Sequence, residues 1–204
     1  MSEHPQPRTL LELSRELKSI AEAGLRYSQG PYDLERYQRL HQIASELLHA
    51  DNPSFHWPLE FGYATPKVDV RGALIEDGRI LLVRESSNGL WTLPGGWADL
   101  NLSPAENVAK ELREETGLDV EVGRLFACLD RDKRGHPPQP EHVYKLFFLC
   151  TRLRGELATS LETSAVGFFP LADLPPLCPY RIQREQLELA FLHAADPSLP
   201  VVSD

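Results

Sequence analysis

The sequence predicts a mixed-sheet α/β or α+β sandwich preceded by an N-terminal helical hairpin. Two stretches of helical periodicity open the chain, and a series of β-branched runs interrupted by helices follows them. These strands and helices alternate irregularly, which is not the order of a doubly wound parallel sheet. With 204 residues, 42% of them hydrophobic, the chain is long enough to bury a core.

The first fifty residues predict two amphipathic helices. Between Thr9 and Arg26 apolar residues recur at helical spacing, and Gly24 marks the end of that helix. A second stretch, capped by Asp33, continues to Leu48. Two helices cannot bury an apolar face by themselves, so we expect the hairpin to pack on the rest of the chain or on a second copy. We favour the second copy, a homodimer.

A proline- and aromatic-rich stretch, "DNPSFHWPLEFGYATP", separates the hairpin from the remaining chain and predicts a packed linker. We therefore divide the chain into a hairpin and linker at 1–64 and a second domain at 65–204. In the second domain the patterns predict strands at 67–75, 79–85, 118–130, 142–153 and 165–171, and helices at 104–116 and 183–193.

Composition limits the partners and the compartment. The formal net charge is −9 and the isoelectric point lies near 5.3, which argues against sequence-specific or nonspecific nucleic-acid binding and against docking on anionic lipid. The N-terminus lacks a signal peptide, no apolar run is long enough for a membrane span, and the three cysteines lack metal-ligand spacing. We expect a cytoplasmic protein with reduced thiols, in which an anionic substrate needs a cation to meet it.

Local chemistry defines one helix well, in the stretch "SPAENVAKELREETGL". Ser103 suits the N-cap position, Pro104 the first helical position, and Glu106 stands where a capping box requires it. Gly117 supplies the C-terminal stop. The predicted helix therefore runs from Pro104 to Thr116.

This helix carries Glu111, Glu114 and Glu115 at spacings of three and four residues, which places them on one face. Like charges at such spacing repel, and a hard divalent cation such as Mg²⁺ removes the repulsion. The alternative is a solvated charged helix in which Lys110 and Glu114 form an ordinary ion pair. The glycines that flank the helix favour the cation, because Gly95 and Gly96 allow backbone carbonyls to approach a ligand closely.

These residues resemble the sequence box of the Nudix hydrolases: Gly, five residues, Glu, seven residues, Arg-Glu-hydrophobic-any-Glu-Glu-any-Gly-hydrophobic. The box begins at Gly96, its Glu-Glu pair falls on Glu114 and Glu115, and its final Gly-hydrophobic pair falls on Gly117 and Leu118. Two positions depart from the pattern. Leu102 stands where the family has the first glutamate, and Lys110 stands where it has the arginine that braces the glutamates.

The resemblance implies a metal site and a reaction. The family's main metal ligands correspond to Glu111 and Glu115, with Glu114 assisting and the Gly95 carbonyl as a further ligand. The implied cofactor is Mg²⁺, with Mn²⁺ as a substitute, and the implied reaction is hydrolysis of a pyrophosphate in a nucleoside diphosphate linked to another moiety. We expect Glu111, Glu114 and Glu115 to be catalytic as well.

The hairpin, the phrase "GGWAD" and the stretches "KVDVRGALI", "HVYKLFF" and "LETSAVGFF" are similar to Nudix proteins of the CDP-choline pyrophosphatase type, in which a two-helix segment precedes the Nudix domain. CDP-choline is therefore the first substrate expected, and ADP-ribose is the alternative. Leu102 and Lys110 leave open a third possibility, a ligand-sensing domain that has lost hydrolysis.

Four further residues are candidates for the site. Glu162 lies in a loop before a strand, where similar Nudix enzymes place a late catalytic glutamate; an exposed loop carboxylate is the alternative. Arg71 suits a bidentate phosphate contact, although a strand arginine can equally face outward. Trp97 suits either stacking on a base or support of the loop. His142 begins a strand after a long polar loop, where we expect nucleotide selectivity.

Overall fold

The computed structural model describes residues 8–60 and 62–204, and the chain divides into two compact units, Met1–Thr65 and Pro66–Asp204. The first unit holds the two helices of the hairpin, and the second holds the sheet and two further helices. Across the described ranges, none of the helices combines the length and the hydropathy of a membrane span.

The hairpin consists of α1 (Leu10–Tyr27) and α2 (Pro31–Glu46). A capping box, in which Thr9 and Glu12 cap each other, starts α1. The predicted cap of α2 at Asp33 is wrong: the N-cap is Gly30, because the ring of Pro31 fixes the backbone for the first helical position. Asp33 instead lies in the first turn, where it accepts a 3.0 Å hydrogen bond from Arg36.

The stretch after the hairpin packs on the hairpin itself. The Trp57 indole N–H donates to Ser14 across 2.8 Å, and the Trp57 backbone N–H donates to the Ser45 hydroxyl across 3.0 Å. The Glu60 backbone N–H donates to Glu22, whose carboxylate also accepts a 2.9 Å bond from the buried Lys18 ammonium. The linker residues up to Glu60 therefore complete the core of the first unit.

The second unit is built on one mixed sheet, as predicted. Its strand order is β3-β2-β1-β5-β4-β7, with β6 paired to the other edge of β2; β1 and β5 are parallel, as are β4 and β7, and the other pairs are antiparallel. The strands are β1 (Lys67–Glu76), β2 (Arg79–Glu85), β3 (Trp91–Thr92), β4 (Asp119–Asp130), β5 (Val143–Arg154), β6 (Thr163–Pro170) and β7 (Val202–Ser203). The two shortest, β3 and β7, were not predicted.

Two helices cover the two faces of this sheet. On one face α3 (Pro104–Thr116) buries Val108 and Leu112 against Val70 and Phe148. On the other face α4 (Arg184–Ala195) buries Leu187 in a cluster with Phe126, Phe147 and Ile80. Successive strand residues point to opposite faces, which explains how the neighbours Phe147 and Phe148 serve two different cores. The result is a three-layer sandwich in which the sheet lies between α3 on one face and α4 on the other.

Candidate active site

The helix α3 is held at both ends by the chemistry that the sequence predicted. The Ser103 side chain accepts from the Glu106 backbone N–H, and the Glu106 carboxylate accepts from the Ser103 N–H. At the other end Gly117 adopts the left-handed conformation with φ +75°. The direction of the glutamates on α3 is therefore set by local capping as well as by packing.

The loop before α3 touches the helix through Gly95. Its backbone N–H donates to a Glu115 carboxylate oxygen across 2.8 Å. Gly95 has φ +136°, and a Cβ there would run into the Val70 carbonyl oxygen, so only glycine fits. Hydrogen bonds of 2.9 Å from Val70 to Gly96 and 3.0 Å from Gly72 to Pro94 hold this loop along β1.

Glu111 and Glu115 converge on this glycine loop. A Cβ placed on Gly96 would lie 3.4 Å from both carboxylate oxygens of Glu111. Burial raises the pKa of Glu115 to about 7 and also raises the pKa of Glu111. The hydrogen bond from Gly95 and the charge of Arg71 lower the pKa of Glu115, whereas repulsion from Glu111 and Glu162 raises it further. Partial burial of two like charges is a costly arrangement unless a cation joins them.

Glu114 points to a different partner. Its carboxylate accepts a 2.8 Å bond from Lys110, which also forms a 3.2 Å ion pair with Asp99. Hydrogen bonds to these two carboxylates raise the pKa of Lys110. The side chain of Glu114 is 56% exposed. The ordinary ion pair weighed from the sequence is therefore present for Glu114, whereas Glu111 and Glu115 face the loop.

The loop that contains Leu102 is fixed by an asparagine. The Asn107 side chain accepts from the Asp99 backbone N–H across 2.8 Å and donates to the carbonyls of Asp99, Leu102 and Ser103 at 3.2 to 3.3 Å. Leu102 itself is 39% exposed. The buried side-chain amide of Asn107 thus holds the loop in which Leu102 replaces the glutamate of the family pattern. Sequence reasoning missed Asn107, although it stands one turn inside a well-capped helix.

Glu162 lies immediately before β6, close to the end of α3. The neighbouring Thr163 hydroxyl donates to the Glu115 carbonyl across 2.9 Å, and the Ser86 N–H donates to the Glu162 carbonyl across 2.8 Å. The charge of Glu162 contributes to the raised pKa values of both Glu111 and Glu115. Glu162 is exposed and belongs to the same electrostatic group as the two helix glutamates.

Arg71 is buried in a charge network beneath the loop. Its guanidinium donates to both carboxylate oxygens of Asp69, at 2.8 and 2.6 Å, and to the Leu93 carbonyl at 2.9 Å. The Lys145 ammonium lies 2.7 Å from Asp69, across the β1–β5 pair. Burial would raise the pKa of Asp69, but Arg71 and Lys145 hold it below its usual range. Every guanidinium nitrogen of Arg71 therefore has a protein partner.

Sequence reasoning missed Asp69 and Lys145. They are Cα partners on adjacent parallel strands but stand 76 residues apart in the chain. Burial lowers the pKa of Lys145 to about 8. The alternating charges of β1 were visible in the sequence, but the pairing of β1 with β5 was not, and no local pattern marks such a cross-strand pair.

Trp97 and His142 both lie beside the start of β1. Trp97 forms an isolated antiparallel bridge with Asp69, and its side chain is 44% exposed. The His142 ring lies 3.3 Å from the Asp130 carboxylate and makes an edge-on contact of 5.3 Å with Tyr144. The structure therefore gives His142 a carboxylate partner and leaves a large part of Trp97 at the surface.

A second acidic group lies at the far end of β4. Among the described residues, Asp130, Asp132 and His142 form one group of three potential ligands whose donor atoms lie within 4.8 Å of one another, and the three α3 glutamates do not form such a group. Asp130 is tied to its surroundings by an N–H bond of 2.6 Å to Asp204 and by the Asp132 N–H at 3.0 Å. Aspartate followed two residues later by aspartate was the only sequence signal for this group.

Two family models match the chain. The model described as the NUDIX domain matches residues 66–189, and the model described as a UDP-X-like N-terminal oligomerisation domain matches residues 8–53. The chain belongs to the Nudix family. It is a Nudix hydrolase, a pyrophosphatase of nucleoside diphosphate-linked substrates, as the resemblance predicted.

Three relatives of similar sequence or structure cover between 69% and 96% of this chain. The Bacillus subtilis (strain 168) protein YjhB, provisionally named an ADP-ribose pyrophosphatase, is 44% identical over 95% of this chain and 96% of its own. The crystal structure of an ADP-ribose pyrophosphatase from Streptococcus suis 89-1591 is 45% identical, with a TM-score of 0.64 over 69% of this chain and all of its own. A crystal structure of a UDP-X diphosphatase is 32% identical, with a TM-score of 0.65 over 96% of this chain and 98% of its own.

Proposed function

We propose that this protein hydrolyses the pyrophosphate bond of ADP-ribose or a closely similar nucleoside diphosphate derivative in a Mg²⁺-dependent reaction. The observation that carries the proposal is the convergence of Glu111 and Glu115 on the Gly95 loop. Partly buried carboxylates beside a backbone carbonyl are oxygen ligands of the kind that Mg²⁺ prefers. Mn²⁺ serves as a substitute.

The donor set fits a hard divalent cation. Both Glu111 and Glu115 have raised pKa values, and no ion pair among the described residues includes either of them. When bound, the cation supplies positive charge to the pyrophosphate oxygens and lowers the pKa of the attacking water. Glu111, Glu115 and the Gly95 carbonyl would hold it. Glu114, paired with Lys110, would assist metal binding only by adding negative charge to the same helix.

Glu162 is the proposed general base. It is exposed immediately before β6 and interacts electrostatically with Glu111 and Glu115. In this role it takes a proton from the attacking water. The guanidinium of Arg71 is occupied by Asp69 and Leu93, so its proposed contribution to phosphate binding is the positive charge that it places beneath the loop.

ADP-ribose precedes CDP-choline because relatives of 44% and 45% identity carry the name ADP-ribose pyrophosphatase. CDP-choline, expected from the sequence resemblance, has no such support and becomes the second candidate. A non-hydrolysing sensor is the third, and the retained pair of Glu111 and Glu115 counts against it, because ligand binding alone does not require two mutually repelling carboxylates.

We also propose a cytoplasmic homodimer formed through the hairpin. The matching of residues 8–53 to an oligomerisation domain supports it, as do the exposed side chains of Ile20, Tyr27 and Tyr32. The free thiols of Cys128, Cys150 and Cys178 support a reducing compartment.

The test is a substrate panel with the purified full-length protein. ADP-ribose, CDP-choline, nucleotide sugars and nucleoside triphosphates are incubated with Mg²⁺, Mn²⁺ or EDTA, and released mononucleotide is measured. We expect metal-dependent release of AMP from ADP-ribose at the highest kcat/KM. Tight binding of one compound without turnover of any compound would identify a sensor instead.

A further inference from the structure

The loop between β5 and β6, which carries Glu162, is attached to the C-terminal end of α3. The Thr163 hydroxyl donates to the Glu115 carbonyl across 2.9 Å. The Ala158 N–H donates to the Thr116 carbonyl across 2.9 Å. The last carbonyls of a helix have no partners within the helix, so these two bonds satisfy acceptors that α3 itself cannot. The loop of the proposed general base therefore caps the helix of the proposed metal ligands.

A β-bulge turns the side chain of Thr163 toward α3. The pairing of β6 with β2 skips Ser164, which is the extra residue of the bulge. In a regular strand Thr163 would share a face with Phe169, six residues further on, which packs on the α4 side of the sheet. The extra residue reverses that orientation, and the Thr163 side chain is buried against the last turn of α3.

A small hydrogen-bonded turn holds the backbone of Glu162. The Ser160 N–H donates to the Thr163 hydroxyl oxygen across 3.0 Å, and the N–H groups of Glu162 and Thr163 each donate to the Ser160 hydroxyl oxygen across 3.2 Å. On the other side, the Ser86 N–H donates to the Glu162 carbonyl across 2.8 Å. Leu161 is 98% exposed and adds little buried surface. Hydrogen bonds rather than apolar packing therefore hold this part of the loop.

We infer that Thr163 is a positioning residue that sets the place of the proposed base Glu162 relative to the proposed metal ligand Glu115, an inference that rests on the proposed function. Thr163 follows Glu162 directly in the chain, and its hydroxyl is bonded to the Glu115 backbone. A general base must reach the attacking water at hydrogen-bond distance, and a misplacement of about 1 Å costs about 100-fold in rate. Thr163 thus acts through Glu162 and not on the substrate itself.

The first experiment removes the Thr163 hydroxyl while keeping the shape of the side chain. In Thr163→Val the kcat for ADP-ribose at saturating Mg²⁺ should fall about 10- to 100-fold, with little change in KM. Thr163→Ser keeps the hydroxyl and should restore most of that loss. Ser164→Ala is the matched control, because it removes the neighbouring hydroxyl, which bonds Arg84 instead. Equal losses of kcat in Thr163→Val and in either Thr163→Ser or Ser164→Ala would overturn the inference.

A double-mutant cycle shows whether Thr163 acts through Glu162. Adding Thr163→Val to Glu162→Gln should lower kcat by no more than about 2-fold further, because the base whose place Thr163 sets is already absent. Independent losses that multiply would contradict the inference. Mn²⁺ binding to the substrate-free protein, followed by electron paramagnetic resonance, should be the same in Thr163→Val and wild type. Clearly weaker Mn²⁺ binding would assign the effect to the metal site and overturn the role at Glu162.

Amide hydrogen exchange tests the attachment of the loop independently of activity. In the metal-free protein, the amides of Ser86 and Ala158 should exchange roughly 2- to 10-fold faster in Thr163→Val than in wild type. The Lys67 amide, bonded to the His142 carbonyl, is the internal control and should not change. Unchanged exchange at Ser86 and Ala158, or an active wild type with unchanged kcat in Thr163→Val, overturns this inference alone. A wild-type protein that hydrolyses none of the substrate panel overturns the proposed function.

Discussion

The Gly95 backbone N–H donates to the Glu115 carboxylate across 2.8 Å, and the carbonyl of the same glycine is a proposed metal ligand. Gly95 thus connects the loop to α3 through its N–H, while its carbonyl oxygen is proposed to bind the metal ion. Glu115 has two oxygens, so one can accept from Gly95 while the other faces a cation. The roles of the α3 glutamates can therefore be separated by substitution.

Glu111→Gln and Glu115→Gln should each lower Mg²⁺-dependent kcat by at least about 100-fold, since even changes around metal ligands cost 10- to 100-fold. Glu114→Gln should have a smaller effect, because Glu114 is paired with Lys110. Steady-state kinetics across a Mg²⁺ titration measures both, and thermal melting confirms folding. An equal loss in all three variants would assign Glu114 a direct role.

The stability of the metal-free protein should depend on pH through Glu115. Its pKa is raised by burial from 4.5 to about 7, so the folded protein holds a proton more tightly than the unfolded chain does. The stabilisation from that proton is complete below pH 4.5 and disappears as the pH rises through 7. In EDTA, Glu115→Gln should therefore gain in Tm relative to wild type between pH 5 and pH 8. Adding Mg²⁺ at pH 8 should raise the Tm of wild type more than that of the variant.

Glu162→Gln should lower kcat about 100-fold if Glu162 is the general base. The charge of Glu162 raises the pKa of Glu111 and Glu115, so its removal leaves those two carboxylates more fully ionised. If Glu162 is not a metal ligand, the variant should therefore bind Mg²⁺ no more weakly than wild type does. Glu121→Gln on β4 is the matched control. A near-normal rate in Glu162→Gln would return the role of base to the α3 glutamates.

Arg71→Met should destabilise the protein by about 3 to 5 kcal/mol, because it removes one partner from a buried charge network. Arg71→Lys keeps the charge but loses the bidentate contact with Asp69, so its loss of stability should be smaller. Urea denaturation measures both. A fully stable Arg71→Lys protein with a strongly raised KM would show a direct contact with substrate phosphate.

Ile20 and Tyr27 are seven residues apart on α1 and exposed by 47% and 60%, so they share one face of the helix. The double substitution to glutamate should convert the proposed dimer to a monomer, measured by size-exclusion chromatography with light scattering. Leu153→Glu, at an exposed position on β5, is the control and should leave the mass unchanged. An unchanged mass in the double variant would exclude this face.

The features that were predictable from the sequence are those set by neighbouring residues. The capping residues Ser103 and Gly117 defined α3, and the box pattern located Glu111 and Glu115. The cap of α2 was assigned to Asp33 because aspartate is a common N-cap, but the proline at position 31 set the start earlier.

The features that were not predictable depend on contacts distant in sequence. The network of Asp69, Arg71 and Lys145 requires the parallel pairing of β1 with β5. Strands β3 and β7 have two residues each, too few to show a period. The ion pair of Glu114 with Lys110 was one of two possibilities that the sequence offered, the other being a bound cation. The choice between them depends on how α3 packs.

The backbone of Gly95 also limits how this enzyme can vary in evolution. Any side chain there would meet both an unfavourable φ of +136° and the Val70 carbonyl, two obstacles that no rearrangement of flexible side chains relieves. In a saturation mutagenesis library selected for activity, position 95 should therefore retain glycine alone. Leu102, whose side chain is exposed and whose carbonyl accepts from Asn107, should accept many residues.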